Sequence, residues 1–494
     1  MKLLRITLPI SIILLLCFSS TVANGANKKI CVLTDIHVMA PSLLEDENNK
    51  EWQEYLKTSK SMIDLSVPIF DAIINKIILE KPDLLLIVGD LTKDSEVESH
   101  NFVLNKLTKF KQSNIPVYVI PGNHDRGWMQ RALIFKNDTC VTAETIDNDG
   151  FEKLYVNYGY GPDTERYGTT LNYLVEPFPG LTLICIDSGI WCTFREGCID
   201  WVCEKAKEAQ DKGNQVLVMM HHMIMPHYYY QNNIFELSVP TDYSDIRDKF
   251  MQAGIKVVLS GHSHTSDITR YVDASGRELY DVCTGSPISY PCDYRVLTFD
   301  DTFSRLSIVT KSLTTLDGYP DFPSYAKERL KESVKNWTQK WMVEKTGFEF
   351  EDDEEFGNNN LVISVLSQAL SNSFTIHAEG NEPDNPESKE AVLIFEDFLD
   401  YMKRHNLDNA EIIENISLSM KSILGDYPSE NDKYNIVNDR TLTIQMPNLT
   451  DGIKEIVNNE TKKSAWYTLE GVQLSEKPQH PGVYIYQGRK HVIK

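Results

Sequence analysis

The sequence lacks several features that define other classes of protein. None of its nine cysteines forms a Cys-x-x-Cys pair, which argues against a structural zinc site. Beyond the N-terminal segment no apolar run approaches the roughly 20 residues needed to span a bilayer, so no transmembrane segment is predicted. No repeat with a period of about 20–50 residues is visible, which argues against a repeat architecture.

Positive charge is also scarce. The chain has 49 Lys and Arg residues against 71 Asp and Glu residues, a formal net charge of −22 at pH 7. Such a chain repels polymeric nucleic acid and anionic membranes at long range, so neither is an expected partner. A small phosphate ester can still bind where metal ions reverse the local field. The sequence does not indicate an oligomeric state.

Residues 1–25 are typical of a secretory signal. Lys2 and Arg5 supply a positive start, residues 6–17 are apolar but too short to span a bilayer, and small residues follow. Cys17 has no small residue just before it, which argues against a lipoprotein anchor. We therefore expect an exported protein that is periplasmic, displayed on the cell surface or secreted. Disulfides can form in such a compartment, but the sequence does not fix their pairing.

The most informative stretch is residues 84–88, an unbroken apolar run short enough to be a strand buried on both faces. Gly89 and Asp90 follow at its carboxyl end, where open α/β sheets place their ligands. An ionised aspartate beside a buried apolar strand costs several kcal/mol unless a positive charge compensates it. We therefore predict that Asp90 lies between two metal ions.

Strands and helices alternate around this stretch, which predicts a layered α/β core. Predicted helices cover residues 64–79 and 95–111, and Ser95 with Glu98 forms a capping box at the start of the second. Asp94 either extends the metal network or caps the helix beside Ser95, and the cap is the favoured interpretation. Predicted strands cover residues 28–34, 84–88, 115–120, 181–186, 215–220, 256–259, 296–299 and 306–309.

At 494 residues the chain exceeds the size at which single cores stop growing, so two domains are expected. Residues 318–323, rich in Pro and Asp, mark the boundary between them. We assign residues 1–25 to the signal peptide, 26–317 to an α/β domain, 318–460 to a smaller, mainly helical domain and 461–494 to a short β tail. Helical spacing in the second domain covers residues 325–345, 361–374, 390–404 and 409–424.

Polar side chains follow five of the predicted strands. Any one of them alone has an ordinary structural explanation, such as a turn cap or a hydrogen-bonded histidine. Five such groups at strand ends of one α/β core instead predict a metal centre. Imidazole, carboxylate and amide ligands without thiolate suit Mn²⁺, Fe²⁺ or Fe³⁺, or Zn²⁺. The groups are Asp35 with His37, Asp90, Asn123 with His124, His221, and His262 with His264.

In order and type, these residues resemble the motif set of the calcineurin-like metallophosphoesterase superfamily. The resemblance implies a four-layer α/β/β/α sandwich, followed here by the helical domain and the β tail. It implies two divalent metal ions, with Asp90 bridging them. One ion would be held by Asp35, His37 and His264, and the other by Asn123, His221 and His262. The matching segments are Asp35-x-His37, Gly89-Asp90, Gly122-Asn123-His124-Asp125, His221 and Gly261-His262-x-His264.

The resemblance also implies hydrolysis of phosphate esters. Two ions about 3.5–4 Å apart can clamp a phosphate and acidify a shared water into hydroxide, which attacks phosphorus in line with the departing alkoxide. His124 would stabilise the transition state or protonate the leaving oxygen. Asp125 would orient His124 through a hydrogen bond.

Differences from the motifs of other branches of the superfamily indicate which branch this chain resembles. Purple acid phosphatases carry Tyr where this chain has Lys93, and the 5′-nucleotidase branch usually has Gly where this chain has Val38. What remains resembles the cyclic-nucleotide and glycerophosphodiester phosphodiesterases, so small phosphodiesters are the expected substrates. Two alternatives stay open, a phosphomonoesterase that scavenges phosphate and a non-catalytic cell-surface module that keeps metals for stability. The presence of both His124 and Asp125 argues against the second.

Other segments have two interpretations each. His222 is expected beside the metal ligands rather than among them. Residues 228–230 either line the substrate cleft or pack within their loop, and residues 375–382 form either a functional loop or a Gly-containing helix cap. Substrate specificity is expected to lie in loops such as residues 223–242 and in the helical domain.

Overall fold

The structure is a computed structural model of the chain. It describes residues 26–127, 131–229, 231–234, 237–346, 359–380, 385, 387–404, 410–425, 438–449, 466–467, 473–474, 477–478, 482–486 and 489–493. The predicted signal peptide lies outside these residues.

The first sheet has six strands and contains the central apolar run. β1, β2 and β3 are parallel to one another, whereas β13, β14 and β15 continue the sheet in antiparallel steps from β1. All five residues of β2 are buried, as the sequence predicts for a central strand. In spatial order the strands are β15 (Thr441–Gln445), β14 (Arg305–Ser312), β13 (Asp293–Phe299), β1 (Lys28–Leu33), β2 (Leu84–Val88) and β3 (Val117–Ile120).

The second sheet has seven strands. β8, β9, β10 and β12 are parallel, and antiparallel strands complete both edges. In spatial order the strands are β11 (Asp267–Val272), β12 (Glu278–Cys283), β10 (Val257–Ser260), β9 (Gln215–Met220), β8 (Leu181–Ile186), β7 (Tyr173–Phe178) and β6 (Glu165–Arg166).

Helices cover the outer faces of the two sheets. α2 (Ser66–Glu80) and α3 (Val97–Gln112) pack on the first sheet, and α5 (Cys198–Asp211) and α7 (Tyr243–Gln252) pack on the second. Alternation along β9 divides its side chains between two cores, because Leu217 faces the first sheet while Val218 packs with α5 and α7. The predicted four-layer α/β/β/α sandwich is confirmed.

Smaller elements decorate the sandwich. The hairpin of β4 and β5 lies beside α1, which contacts β5. Ser95 does not cap α3, because its Oγ donates to the Ile146 carbonyl and the helix begins after Glu96. The elements are α1 (Lys50–Thr58), β4 (Leu133–Lys136), β5 (Thr139–Thr142), α4 (Asn148–Leu154) and α6 (Gln231–Ile234).

The predicted helical region follows the sandwich. It has its own apolar core, which includes Phe395, Phe398 and Met420 and extends to Tyr228 of the sandwich. Among the described residues, no helix combines the length and apolarity needed to cross a membrane. The helices are α8 (Phe322–Thr346), α9 (Asn359–Glu379), α10 (Glu387–Arg404) and α11 (Ala410–Gly425).

Residues 438–445 return from the helices to the first sheet. β15 pairs with β14, and Ile444 is buried against the core of the sandwich. This segment lies within the predicted helical domain (residues 318–460), so one strand of the first sheet comes from beyond the predicted boundary. The final strands form a separate antiparallel sheet in the predicted tail, with β16 (Trp466–Tyr467), β17 (Gln473–Leu474), β18 (Gly482–Tyr486) and β19 (Arg489–Ile493).

Candidate metal centre

The carboxyl ends of β1, β2, β3, β9 and β10 converge at one place between the two sheets. The structure brings together there all seven residues that the sequence predicts as metal ligands. The potential ligand atoms form three groups, and the atoms within each group lie within 4.8 Å of one another. The groups are Asp35 with His37 and His264, His37 with Asp90 and His124, and Asp90 with His221 and His262.

On one side of the centre, His37, His264 and Asp35 face each other. The Nε2 atoms of His37 and His264 are 3.1 Å apart, and His264 Nε2 lies 3.4 Å from Asp35 Oδ1. Asp35 is fully buried, and its Oδ1 has no hydrogen-bond partner among the described residues. A buried carboxylate oxygen is costly in this state, and a cation between these three side chains would compensate it.

On the other side, His221, His262 and Asn123 converge. Asn123 Oδ1 lies 3.1 Å from His221 Nε2 and 3.0 Å from His262 Nδ1. His221 Nδ1 lies 2.8 Å from the Val88 carbonyl, to which it donates. This hydrogen bond leaves the lone pair on Nε2, pointing into the centre as a metal ligand requires.

Asp90 lies between the two sides. Its Oδ1 accepts the backbone N–H of His124 at 2.7 Å. Its Oδ2 lies 3.4 Å from His37 Nε2 and 3.2 Å from His221 Nε2. A single carboxylate oxygen therefore faces both groups of ligand atoms, which is the position required of a bridging ligand.

The backbone is strained at most of these residues. Left-handed φ angles are unusual for residues with a side chain and gather at functional sites, where packing holds them in place. The φ angles are 51° at Asp35, 39° at His37, 50° at Asp90, 71° at His262 and 63° at His264.

Two glycines allow the segments of the centre to approach one another. A Cβ on Gly122 would lie 2.1 Å from Asp90 Oδ1, and a Cβ on Gly261 would lie 2.6 Å from Asp35 Oδ2. Both distances are far below van der Waals contact. Any other residue at either position would displace a predicted metal ligand.

Electrostatics favours charged carboxylates in the centre. Burial opposes ionisation, but the neighbouring histidines lower the pKa of both Asp35 and Asp90 below the usual aspartate value. Burial also opposes protonation of His221, yet Asp90 and Asp35 raise its pKa to about 10. The centre thus holds two carboxylates, four imidazoles and one amide oxygen without thiolate, a donor set that fits divalent Mn, Fe or Zn.

His124 lies beside this centre and contacts a different carboxylate from the one predicted. Its Nδ1 lies 2.8 Å from Asp94 Oδ1 and 2.8 Å from the Lys93 carbonyl. Burial opposes protonation of the ring, but Asp90 and Asp94 raise the pKa of His124 to about 9. Asp94 therefore orients His124, and the interpretation of Asp94 as a helix cap is wrong.

Asp125 does not hydrogen-bond to His124, contrary to the prediction from the sequence. Its carboxylate accepts backbone N–H groups of Leu91 at 3.1 Å, Thr92 at 3.0 Å and Gly122 at 2.9 Å. Buried backbone N–H groups beyond a strand end need acceptors, and the Asp125 carboxylate supplies them here. Asp125 therefore joins the loop after β2 to the loop after β3.

Lys93 is a buried residue that was not predicted to belong to the site. Its Nζ lies 2.5 Å from Asp94 Oδ2 and 3.6 Å from Glu96 Oε1. Burial favours the neutral amine, but Tyr55, Asp94 and Glu96 raise the pKa of Lys93. Its positive charge lowers the cost of burying Asp94 beside His124. Sequence periodicity could not have identified Lys93, because it lies in the loop between β2 and α3.

The remaining histidines near the centre have structural partners. His222 Nδ1 lies 2.8 Å from Ser188 Oγ, and its ring centre is 4.5 Å from that of His262. His222 thus lies beside a predicted ligand, as expected. His100 contacts Tyr155 Oη at 2.9 Å and the Asp125 carbonyl at 3.2 Å, and burial lowers its pKa to about 3.

Comparison with known proteins identifies the class. Residues 28–266 match the family described as calcineurin-like phosphoesterase, and this range contains every residue of the centre. Residues 28–266 therefore carry a domain of the metallophosphoesterase superfamily, and this match supports a phosphoester hydrolase.

Individual relatives are distant. A probable glycerophosphodiester phosphodiesterase of Arcobacter nitrofigilis is 23% identical over 219 residues, which cover 43% of this chain and 68% of that protein. A dimetal phosphatase from Danio rerio aligns with a TM-score of 0.39 and 11% identity, covering 58% of this chain and 96% of its own. The phosphopantetheinyl hydrolase of Mycobacterium tuberculosis aligns with a TM-score of 0.26 and 12% identity over 53% of this chain and 91% of its own.

Proposed function

We propose that the chain is an exported, dinuclear metal-dependent phosphoesterase that hydrolyses small phosphodiesters of the cyclic-nucleotide or glycerophosphodiester type. The observation that carries this proposal is the presence of two separate cavities at one metal centre. A diester has two ester groups to accommodate, whereas a monoester has one.

The two cavities share no lining residue. The first has a volume of about 260 Å³, and its lining includes His262 and His264. The second has a volume of about 250 Å³, and its lining includes Asn123, His124 and Asp94. A phosphate held at the centre would have space on each side for one ester group. This geometry supports a diester over a monoester.

The residues of the centre form two groups, each of which can hold one metal ion. Asp35, His37 and His264 would hold one, Asn123, His221 and His262 would hold the other, and Asp90 would bridge them. When bound, the ions supply Lewis acidity toward the phosphate and acidify a water molecule to near-neutral pKa. The buried aspartates and the hydrogen bond from His221 Nδ1 to Val88 hold the ligand atoms in position.

His124 is the proposed general acid. Its Nδ1 is engaged by Asp94 and the Lys93 carbonyl, which leaves Nε2 as the ring atom for the substrate. The hydrogen bond with Asp94 favours the protonated form of the ring. His124 would give that proton to the departing alkoxide, and Asp94 would stabilise the charged ring until the transfer. Asp125 serves instead to hold the loop that carries His124.

The test is hydrolysis by the purified, Mn²⁺-loaded protein of bis-p-nitrophenyl phosphate and of p-nitrophenyl phosphate. A higher kcat/KM for the diester is the expected result. A higher kcat/KM for the monoester would replace the proposal with the phosphate-scavenging alternative. Hydrolysis of neither compound would favour a non-catalytic metal-binding module.

Export is a separate part of the proposal and is carried by residues 1–25. Their positive start, short apolar stretch and small residues favour cleavage near residue 26. N-terminal sequencing of the protein recovered from outside the cytoplasm should therefore begin close to that position. An intact Met1 on protein confined to the cytoplasm would contradict export.

A further inference from the structure

The first cavity lies where the helical region meets the metal centre. One wall carries the predicted ligands His262 and His264. The opposite wall comes from α8 and α9, which contribute Leu330, Val334, Trp337 and Phe374. These helices lie outside residues 28–266, so the part of the cavity that they form is not a feature of the matched family domain.

Lys60 and Trp337 connect this wall to the centre. Lys60 Nζ lies 4.1 Å from the centre of the Trp337 ring, a cation–π contact. The next residue, Ser61, has its Oγ 3.0 Å from His264 Nδ1. The position of the Trp337 ring is therefore fixed relative to the predicted ligand His264 through two adjacent residues.

The sheet side of the cavity is polar. Ser289 Oγ lies 2.9 Å from Ser61 Oγ and 3.3 Å from His264 Nδ1. Gln231 and Ser263 also line this side. A retained group without hydrogen-bonding atoms on this side, whether alkyl or phenyl, would leave these polar groups without partners, which is costly. A planar group with an apolar face and a polar edge satisfies both walls.

We propose that α8 and α9 form the binding site for the ester group that stays on the phosphate, and that this site selects a planar aromatic group stacked on Trp337. The proposal rests on the phosphodiesterase function above. Because His124 lines the other cavity, the leaving alcohol departs on that side. Water adds its oxygen to phosphorus, the bond from phosphorus to the leaving oxygen breaks, and that oxygen takes a proton. The aromatic group remains on the phosphomonoester product.

Two synthetic diesters with one leaving group test this selection. Both p-nitrophenyl phenyl phosphate and ethyl p-nitrophenyl phosphate release p-nitrophenolate, so they differ only in the group that stays. The wild type should have the higher kcat/KM for the phenyl ester. Trp337→Ala should lower kcat/KM for the phenyl ester about 5- to 150-fold, the range for loss of one aromatic stacking contact. The ethyl ester should change less than about twofold.

Two further variants distinguish loss of the stacking contact from a general loss of activity. Trp337→Phe keeps an aromatic face and should retain most of the phenyl preference. Trp191→Ala removes a half-exposed tryptophan that does not line the cavity and should leave both rates unchanged. The ethyl ester reports on the intact centre in every variant. If Trp337→Ala proves unstable, Phe374→Leu should produce the same selective loss.

The outcomes distinguish the two proposals. Equal losses on both esters in Trp337→Ala and Phe374→Leu, or a wild type without phenyl preference, would overturn the aromatic site while leaving the phosphodiesterase function in place. Hydrolysis of neither ester by the Mn²⁺-loaded wild type would overturn the phosphodiesterase function itself, and the aromatic site with it.

Discussion

The partly buried Asp94 and the fully buried Asp125 both lie close to His124, but they have different partners. Asp94 accepts a hydrogen bond from the His124 ring, and Lys93 balances its charge. Asp125 accepts backbone N–H groups from two loops. Asp94 therefore orients a side chain, whereas Asp125 holds the backbone of two loops.

Substitution of His124 should separate catalysis from metal binding. His124→Ala should retain two metal ions and lower kcat about 100-fold or more, because it removes a general acid and no ligand. Asp94→Asn should also lower kcat, and the double variant should add little to His124→Ala because the two side chains act together. Metal analysis and steady-state kinetics provide the measurements. Metal loss equal to the loss of activity would move His124 into the ligand set.

Asp125→Asn is the matched comparison. Its amide NH₂ would face backbone N–H groups that now donate hydrogen bonds to the carboxylate. Because two donors cannot pair, the free energy of unfolding should fall by about 1–3 kcal/mol. The folded fraction of the Asp125→Asn variant should retain more of the wild-type kcat than the Asp94→Asn variant does. A greater kcat loss for Asp125→Asn without loss of stability would restore the role first predicted for Asp125.

At the scale of single residues, the sequence predicted which residues lie close together but not the direction in which each side chain points. The ligand motifs were recognisable because each follows an apolar strand, and strand ends converge in an α/β sandwich. Asp94 and Asp125 both lie within a few residues of such ends. Their directions depend on left-handed residues such as Asp90 and Ser95, and sequence periodicity carries no information about those loop conformations.

At the scale of elements, β15 shows how a distant segment completes the first sheet. Arg440, just before this strand, forms two hydrogen bonds with Asp293 at 3.0 and 3.1 Å. The carbonyl of Asp439 accepts from the buried Arg295 at 2.7 Å. β15 was not predicted because five alternating residues are a weak signal, and its partner strand β14 precedes it by more than a hundred residues.

Loss of the Arg440–Asp293 pair should destabilise the sandwich. Asp293 is fully buried, so Arg440→Ala leaves its charge without its bidentate partner. The free energy of unfolding should fall by about 2 kcal/mol, less than for a fully buried pair because Arg440 is partly exposed. Urea unfolding measures the change, with the exposed Arg305→Ala on the adjoining strand as control. Equal stability of both variants would show that Asp293 does not depend on this partner.

At the scale of the whole molecule, a buried acid–histidine cluster joins the sandwich to the helical region. His227 Nδ1 lies 2.7 Å from Asp267 Oδ1, and its Nε2 lies 3.3 Å from Asp281 Oδ2. His377 of α9 reaches the other oxygen of Asp267 at 3.6 Å. Gly380 ends α9 with φ 72°, so the stretch from Thr375 is a capped helix end, whose His377 also lines the first cavity.

This cluster predicts a loss of stability at alkaline pH. Burial opposes protonation of His227, but Asp267 and Asp281 raise its pKa to about 10 in the folded state, from 6.5 in the unfolded chain. The stabilisation is complete below pH 6.5 and is lost as the pH rises toward about 10, because only the folded state holds the proton in that window. The free energy of unfolding should fall by a few kcal/mol across it.

The control for this pH effect is His227→Gln, which has no proton to lose. Its free energy of unfolding should be lower than that of the wild type at pH 6.5 and should approach it near pH 10. A difference between the two proteins that stays constant over this range would show that His227 carries no extra proton in the folded state.

The helices of the second region were predictable because their apolar positions recur at helical spacing, and four of them appear close to the predicted positions. Their packing against the metal centre was not predictable. It depends on contacts such as that of Lys60 with Trp337, which join residues far apart in the sequence. The domain boundaries assigned from the sequence stay a prediction.

The most direct test of the dinuclear centre is anomalous X-ray diffraction from crystals of the Mn²⁺-loaded protein. Two anomalous peaks about 3.5–4 Å apart are predicted, one beside Asp35, His37 and His264 and the other beside Asn123, His221 and His262. Asp90 Oδ2 should contact both. A single peak, or peaks that do not contact Asp90, would contradict the dinuclear centre and the hydrolysis proposed for it.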